Sequence, residues 1–209
     1  MGKKAVKADA STLAFEMVSG QRRIFTSCGP GYLFGSNLSS ASRQTSSHSV
    51  VYIDNQNSSQ FSDKESWLKI PKKVIINGPR NVPKEISNDQ GICIFEGAHD
   101  GYVKSHGLTH VRKLKLAQDG QTLEGEDLII AIEDSHKRQF DKISKKTSRG
   151  SLSVKAAFHL HPDVTLRWDQ KNHFISLALK NGEVWIFNYS CLLYTSDAAD
   201  EEDSVDLGG

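Results

Sequence analysis

The chain has 209 residues, with 26 Lys and Arg against 25 Asp and Glu and a formal charge of +1. Its mass is 23.1 kDa and its mean hydropathy −0.45, so it suits one domain of the sandwich or barrel class with material for one sizeable core. No run of about 18 apolar residues occurs, which excludes a membrane-spanning helix. Three widely spaced cysteines exclude a disulfide framework and a CxxC zinc site; Cys28 and Cys93 read as buried small hydrophobes.

Residues 1–10 read as a poorly ordered N-terminal segment. Met1-Gly2-Lys3-Lys4 leads into alanines and charges without the apolar core of a secretory signal, leaving open a signal on a preceding part. Ser11–Met17 and Gln21–Ser27 flank Ser19-Gly20 and predict a hairpin. Ser49–Ile53 predicts a short β-branched strand, followed by turn chemistry at Asp54-Asn55-Gln56-Asn57. Residues 57–90 carry Pro71, Pro79 and Pro83 and predict a long loop with one or two short strands such as Val74–Ile76.

Gly91–Glu96, His110–Ala117 and Asp127–Ile132 predict strands, the second by clean alternation and the third as a buried run. Ser135–Gly150 is basic and polar and reads as an exposed loop. Leu152–Leu160, Val164–Trp168, His173–Leu179 and Val184–Phe187 follow at short spacings, and Asn181-Gly182 signals a tight hairpin. With no helix of about ten or more residues in the pattern, the expected fold is an all-β, antiparallel β-sandwich over residues 11–190.

From Cys191 the pattern breaks abruptly. Cys191-Leu192-Leu193-Tyr194-Thr195-Ser196-Asp197-Ala198-Ala199-Asp200 resembles the translation of a sequencing-library adapter, so residues 191–209 read as an artefact or as a disordered acidic tail. That stretch holds six acids and no Lys or Arg; without it 26 basic residues stand against 19 acidic ones, a formal +7. A basic remainder suits a binder of polyanions, and equally an ordinary solubilising surface.

Four segments then occur in a telling order. They are Phe15-Glu16-Met17 with Gln21-Arg22-Arg23-Ile24, and Arg43-Gln44-Thr45-Ser46-Ser47-His48-Ser49. Next come Glu96-Gly97-Ala98-His99-Asp100-Gly101-Tyr102 with Gly107-Leu108-Thr109-His110-Val111-Arg112, and lastly Phe158-His159-Leu160-His161-Pro162-Asp163-Val164. Together they resemble the C-terminal domain of heparinase II/III-like proteins, particularly the bacterial branch. The resemblance implies a lyase of the bacterial cell envelope or periplasm that cleaves uronic-acid polysaccharides by β-elimination. It also implies a partner in the same protein, an N-terminal α/α toroid that carries the catalytic Tyr and most acid/base groups. The sandwich alone is then expected to be inactive, and the alternative is a non-catalytic carbohydrate-binding or assembly sandwich.

β-Elimination needs the uronate carboxyl neutralised, a base for the C5 proton and an acid for the leaving oxygen. Histidine titrates near neutrality and suits the first or second task. By resemblance His48 matches the histidine that the family lends to the interdomain cleft, and Arg43 and Arg112 are candidate contacts for an acidic polysaccharide. A structural zinc implied by the resemblance would draw on His48, Asp63 and His110, with Asp100 the alternative carboxylate; plain packing of these residues is the leading reading.

The remaining candidates have blander readings. His159 and His161 share one face of a strand and read as a hydrogen-bonded pair near the sheet edge, with Phe158 and Leu160 facing the core. His99-Asp100 reads as a turn-stabilising pair, and Lys137, Arg138, Lys142, Lys145, Lys146 and Arg149 as a solvated charge run. Trp168 and Trp185 lie in strand patterns and read as core residues, whereas Trp67 is a candidate sugar platform. The basic stretch lacks interleaved aromatics, which argues against nucleic acid.

Overall fold

The computed structural model describes residues 8–29, 31–62, 74–146 and 152–191. The chain divides into two compact units, one up to His161 and one from Pro162, where the sequence reading placed a single domain over 11–190. The acidic terminus, Trp67 and Asp63 lie outside the described residues, apart from an exposed Cys191.

The described part of the first unit begins with packed residues at 8–10. Ala10 is fully buried and its N–H donates to Arg43 O, while Arg43 donates to Ala8 O through both Nε and Nη2. Strands β1 (Met17–Ser19) and β2 (Arg22–Phe25) form the expected hairpin. Residues 11–16 stay outside it, with Leu13 at a positive φ. Helix α1 (Ser36–Ala41) and a 3-10 turn (Thr45–Ser47) lead into β3 (Val51–Ile53). Strands β4 (Gln60–Phe61) and β5 (Ile75–Asn77) pair with each other.

The largest sheet follows in antiparallel order: β6 (Lys84–Asp89), β7 (Ile92–Tyr102), β8 (Leu108–Leu116) and β9 (Leu123–Ile130). The sequence reading folded β6 into a loop because its residues KEISND are exposed throughout and show no apolar alternation. Between β7 and β8 sits helix α2 (Val103–His106). After β9 comes helix α3 (Asp134–Ser144), where an exposed loop was expected. Its half-buried positions are His136, Gln139, Phe140, Ile143 and Ser144, a helical spacing that only two apolar residues mark in the sequence. Asp134 in the first turn and Lys142 in the last suit the helix dipole. The helix packs closely on Gly107 (φ +72), where a Cβ would lie 2.3 Å from His136 O, so only glycine fits there.

Strand β10 (Val154–Ala156) returns to pair with β3. A small apolar cluster of Ile53, Tyr102 and Leu108, with Phe140 and Leu152 against it, joins β3, β7, β8 and α3. The register places Cys93, Phe95, Gly97 and His99 of β7 beside Leu116, Leu114, Arg112 and His110 of β8, and Asp127 of β9 opposite Arg112. One end of this sheet face is apolar and partly exposed, with Leu116 at 41%. The other end is polar and buried.

The second unit holds an antiparallel sheet of β11 (Thr165–Asp169), β12 (Phe174–Ala178) and β13 (Val184–Phe187), close to the expected spans. Leu177 and Leu179 are buried in it, but Trp168 is 57% exposed, which corrects its reading as a core residue. Trp185 is half-buried, its indole N–H donating to Glu183 Oε1. Cys28 and Cys93 are exposed, not buried: Cys28 follows the end of β2, and Cys93 lies at the exposed end of β7. Antiparallel strands with few short helices make this an all-β fold of the sandwich class. No helix among the described residues is long and apolar enough to cross a membrane.

Candidate functional site

The polar end of the sheet is a chain of hydrogen bonds with one consistent direction. The Gly101 N–H donates to His99 Nδ1 at 3.1 Å, so that nitrogen is unprotonated. Burial, reinforced by His110 and Arg112, lowers the His99 pKa to about 3, and its ring is neutral with the proton on Nε2. His99 Nε2 therefore donates to His110 Nδ1 (3.2 Å), and His110 Nε2 donates to Asp127 Oδ1 (2.7 Å). Arg112 closes the chain with a two-pronged grip on Asp127, Nε to Oδ1 at 2.7 Å and Nη2 to Oδ2 at 2.8 Å.

Both histidines and Arg112 are at most 1% exposed. Burial alone would raise the Asp127 pKa, but the bonds from His110 and Arg112 overcome it and bring it down to about 2. Arg112 Nη1 reaches across to Leu13 O (2.8 Å) and Ser49 O (2.9 Å), and its guanidinium lies over the Phe15 ring. The relay thus anchors the backbone of Ser49, the residue after His48.

His48 ends the 3-10 turn in an extended conformation, its N–H donating to Thr45 O. That turn is fixed from inside: Thr45 Oγ1 donates to Ala10 O (2.6 Å) and accepts the Ser58 N–H (2.9 Å), and Asn57 Oδ1 accepts the Thr45 N–H (2.8 Å). The side chain is 5% exposed, and Nε2 is buried with no hydrogen-bond partner among the described residues. Burial lowers its pKa against the pull of Asp9, with His159 adding to the lowering, so the imidazole is neutral at neutral pH. His159 itself donates from Nε2 to Ser46 O at 2.8 Å, and the backbone of His159 and His161 bonds to Thr26 and Ile24. The pair is thus hydrogen-bonded into the sheet edge, although Phe158 is 36% exposed and meets Phe15 edge-on and Phe25 at a tilt.

A cleft of about 940 Å³ opens in the same unit between the loop after β3, the β5–β6 connection, α2 and α3. Its walls are rich in amide and hydroxyl side chains, and His48 is not among its lining residues. Sequence reasoning missed it because Asn55-Gln56-Asn57-Ser58-Ser59-Gln60 looks like turn chemistry. An unbroken run of six amide and hydroxyl residues was the available signal.

The predicted residues do not converge on one point. Arg112, read as a substrate contact, is instead enclosed with internal partners. Arg43 donates to Ala8 O, lies 3.6 Å from Asp9 and stacks on Phe61. Both nitrogens of His110 are committed within the relay, and Asp100 Oδ1 accepts the N–H groups of Arg80 and Asn81. Among the described residues no three His, Cys, Asp or Glu groups come together as a metal would require. Asp63, the first-choice carboxylate of the implied zinc site, lies outside the described residues. Asp127, absent from the candidates, is the acid that organises the relay, and only the strand register reveals it.

Comparison with known proteins gives the chain's family. The family described as heparinase II/III-like, C-terminal, matches residues 1–198. The chain is also similar to FtsZ-localized protein C of Caulobacter vibrioides, 29% identical over 164 residues that cover 78% of this chain. It spans about a quarter of that relative's length, 27%. No solved structure matches it. The chain belongs to the heparinase II/III-like family, as a C-terminal domain of that family.

Proposed function

We propose that this chain is the sandwich part of a polysaccharide lyase of the bacterial cell envelope, acting on a uronic-acid glycan by β-elimination, with His48 as its contribution to the chemistry. The observation that carries the reading is the buried, unpaired Nε2 of His48 on a rigidly held turn. A buried nitrogen without a partner is destabilising and calls for one that the described residues do not supply. Because burial keeps the ring neutral, Nε2 is suited to accept a proton, and the role assigned is base rather than neutraliser of the carboxylate. The base takes the C5 proton, a C4–C5 double bond forms, the C4–O bond breaks, and an acid on the other domain protonates the departing oxygen.

The other groups would come from the α/α toroid that members of the family carry. The test uses a longer protein containing this domain together with that toroid. It is expected to release unsaturated uronate product, which absorbs in the ultraviolet; His48→Gln is expected to abolish release, and the 209-residue chain alone to give none. Full activity in the His48→Gln protein sinks the assignment.

A second reading, a non-catalytic carbohydrate-binding or assembly sandwich, draws on the relative whose name records localisation with FtsZ. A toroid-bearing protein that binds glycan but forms no unsaturated product favours this reading over the lyase.

A further inference from the structure

We infer that the cleft beside α2 and α3 binds an anionic oligosaccharide directly, at a site separate from His48. Its volume of about 940 Å³ lies at the upper end of the range for ligand pockets, about 300–1,000 Å³. All lining residues belong to the first compact unit, so the cavity is a feature of one body.

The lining has the chemistry of sugar hydroxyls. Each amide offers a donor and an acceptor, which is what a hydroxyl-rich chain needs. Gln44 and Gln56 are exposed in the cleft, and their side chains have no hydrogen bond to other described residues. Asn55 and Gln60 extend the same wall. Arg80 and Lys104 stand exposed in the lining without an acidic partner among the described residues. Among the described residues the single lining carboxylate, Asp100, is already accepting two backbone N–H groups. The unspent charge of the described lining is therefore positive, and it calls for carboxylate or sulfate groups on the ligand.

The cleft is preformed. At Gly101 a Cβ would fall 2.6 Å from Ser58 O, so the end of β7 and the loop after β3 meet backbone to backbone in the floor. The Gly101 N–H is held by His99, which ties that floor to the buried relay. The apolar content is small: Phe61, Ile76 and Val103, with the Phe61 ring covered on one side by Arg43. A peptide would need apolar anchor pockets, and a nucleic acid would need stacking platforms; the described lining offers neither.

Calorimetric titration of the 209-residue chain with hexagalacturonate, maltohexaose and sodium sulfate at one ionic strength tests the inference. Hexagalacturonate is expected to bind saturably, and maltohexaose at least about tenfold more weakly. The Arg80→Ala/Lys104→Ala and Gln44→Ala/Gln56→Ala double variants are each expected to lose about tenfold in affinity for the uronate hexamer while unfolding like the parent, since all four side chains are exposed. No saturable binding of the hexamer, equal binding of maltohexaose, displacement of the hexamer by sulfate alone, or wild-type affinity in both variants overturns it. The inference stands apart from the lyase reading. Lyase activity without cleft binding would defeat the cleft alone, and cleft binding in a toroid-bearing protein without product would defeat the lyase alone.

Discussion

Two buried histidine environments sit on either side of Ser49, and they differ in their hydrogen-bond accounting. In the relay of His99, His110, Asp127 and Arg112 both ring nitrogens of each histidine and both carboxylate oxygens have partners. At His48, a few ångströms of backbone away through the Arg112–Ser49 bond, Nε2 has none among the described residues. A satisfied buried network is architecture: it fixes strand register and turn position at little net cost. An unsatisfied buried nitrogen is destabilising, and its persistence points to work done with a ligand or partner. The difference separates the two histidines that build the fold from His48, which, like His136 of α3, has an unmet buried nitrogen among the described residues.

That comparison breaks or sharpens under substitution. The largest effect is expected at Asp127. Asp127→Ala leaves the Arg112 cation buried and unpaired and strands His110, and is expected to destabilise the chain by about 3–5 kcal/mol, read by urea unfolding. A loss under about 1 kcal/mol would show that the relay contributes no more than a surface pair.

Acid should act through the same groups. His99 has a folded pKa of about 3 against an ordinary 6.5, so below 6.5 the unfolded chain binds a proton that the folded chain refuses. Its contribution is fully present above pH 6.5 and is lost as pH falls toward 3, on the order of 3–5 kcal/mol. Asp127, depressed from 3.8 to about 2, adds a further loss across that lower window. His99→Phe is expected to flatten the upper part of the pH–stability curve; an unchanged slope between pH 6 and 4 in that variant would show that His99 is not the group responsible.

Thr45→Ala removes the acceptor for the Ser58 N–H and the donor to Ala10 O in a buried turn. The expected cost is about 1–3 kcal/mol, accompanied by faster amide exchange at Ser58. Protection at Ser58 equal to the parent's would mean that the turn is held from elsewhere.

Much of the fold was legible because it rests on alternation and turn chemistry. The strand from His110 shows both, and Asn181-Gly182 marks the hairpin between β12 and β13. The edge strand β6 was not legible, since an exposed strand has no face to imprint on its sequence, and the turn after it, Gln90-Gly91, carries only one glycine. Helix α3 was hidden because polar residues occupy most of its half-buried stripe. At the site, His48, His110 and Arg112 could be singled out by residue type, but their division into functional and structural could not. That division depends on Asp127, seventeen residues from His110 in sequence and bonded to it through the β8–β9 register.

The smallest stability effect is expected at His48 itself. Replacing an imidazole that has an unmet nitrogen with an apolar side chain of similar size removes the polar penalty and keeps most of the packing. Paired urea titrations of Asp127→Ala and His48→Leu in the 209-residue chain test the central contrast most directly. The predicted result is a loss of about 3–5 kcal/mol for the first and a change within about 1 kcal/mol for the second. Equal, large losses in both would contradict it and return His48 to the architecture of the fold.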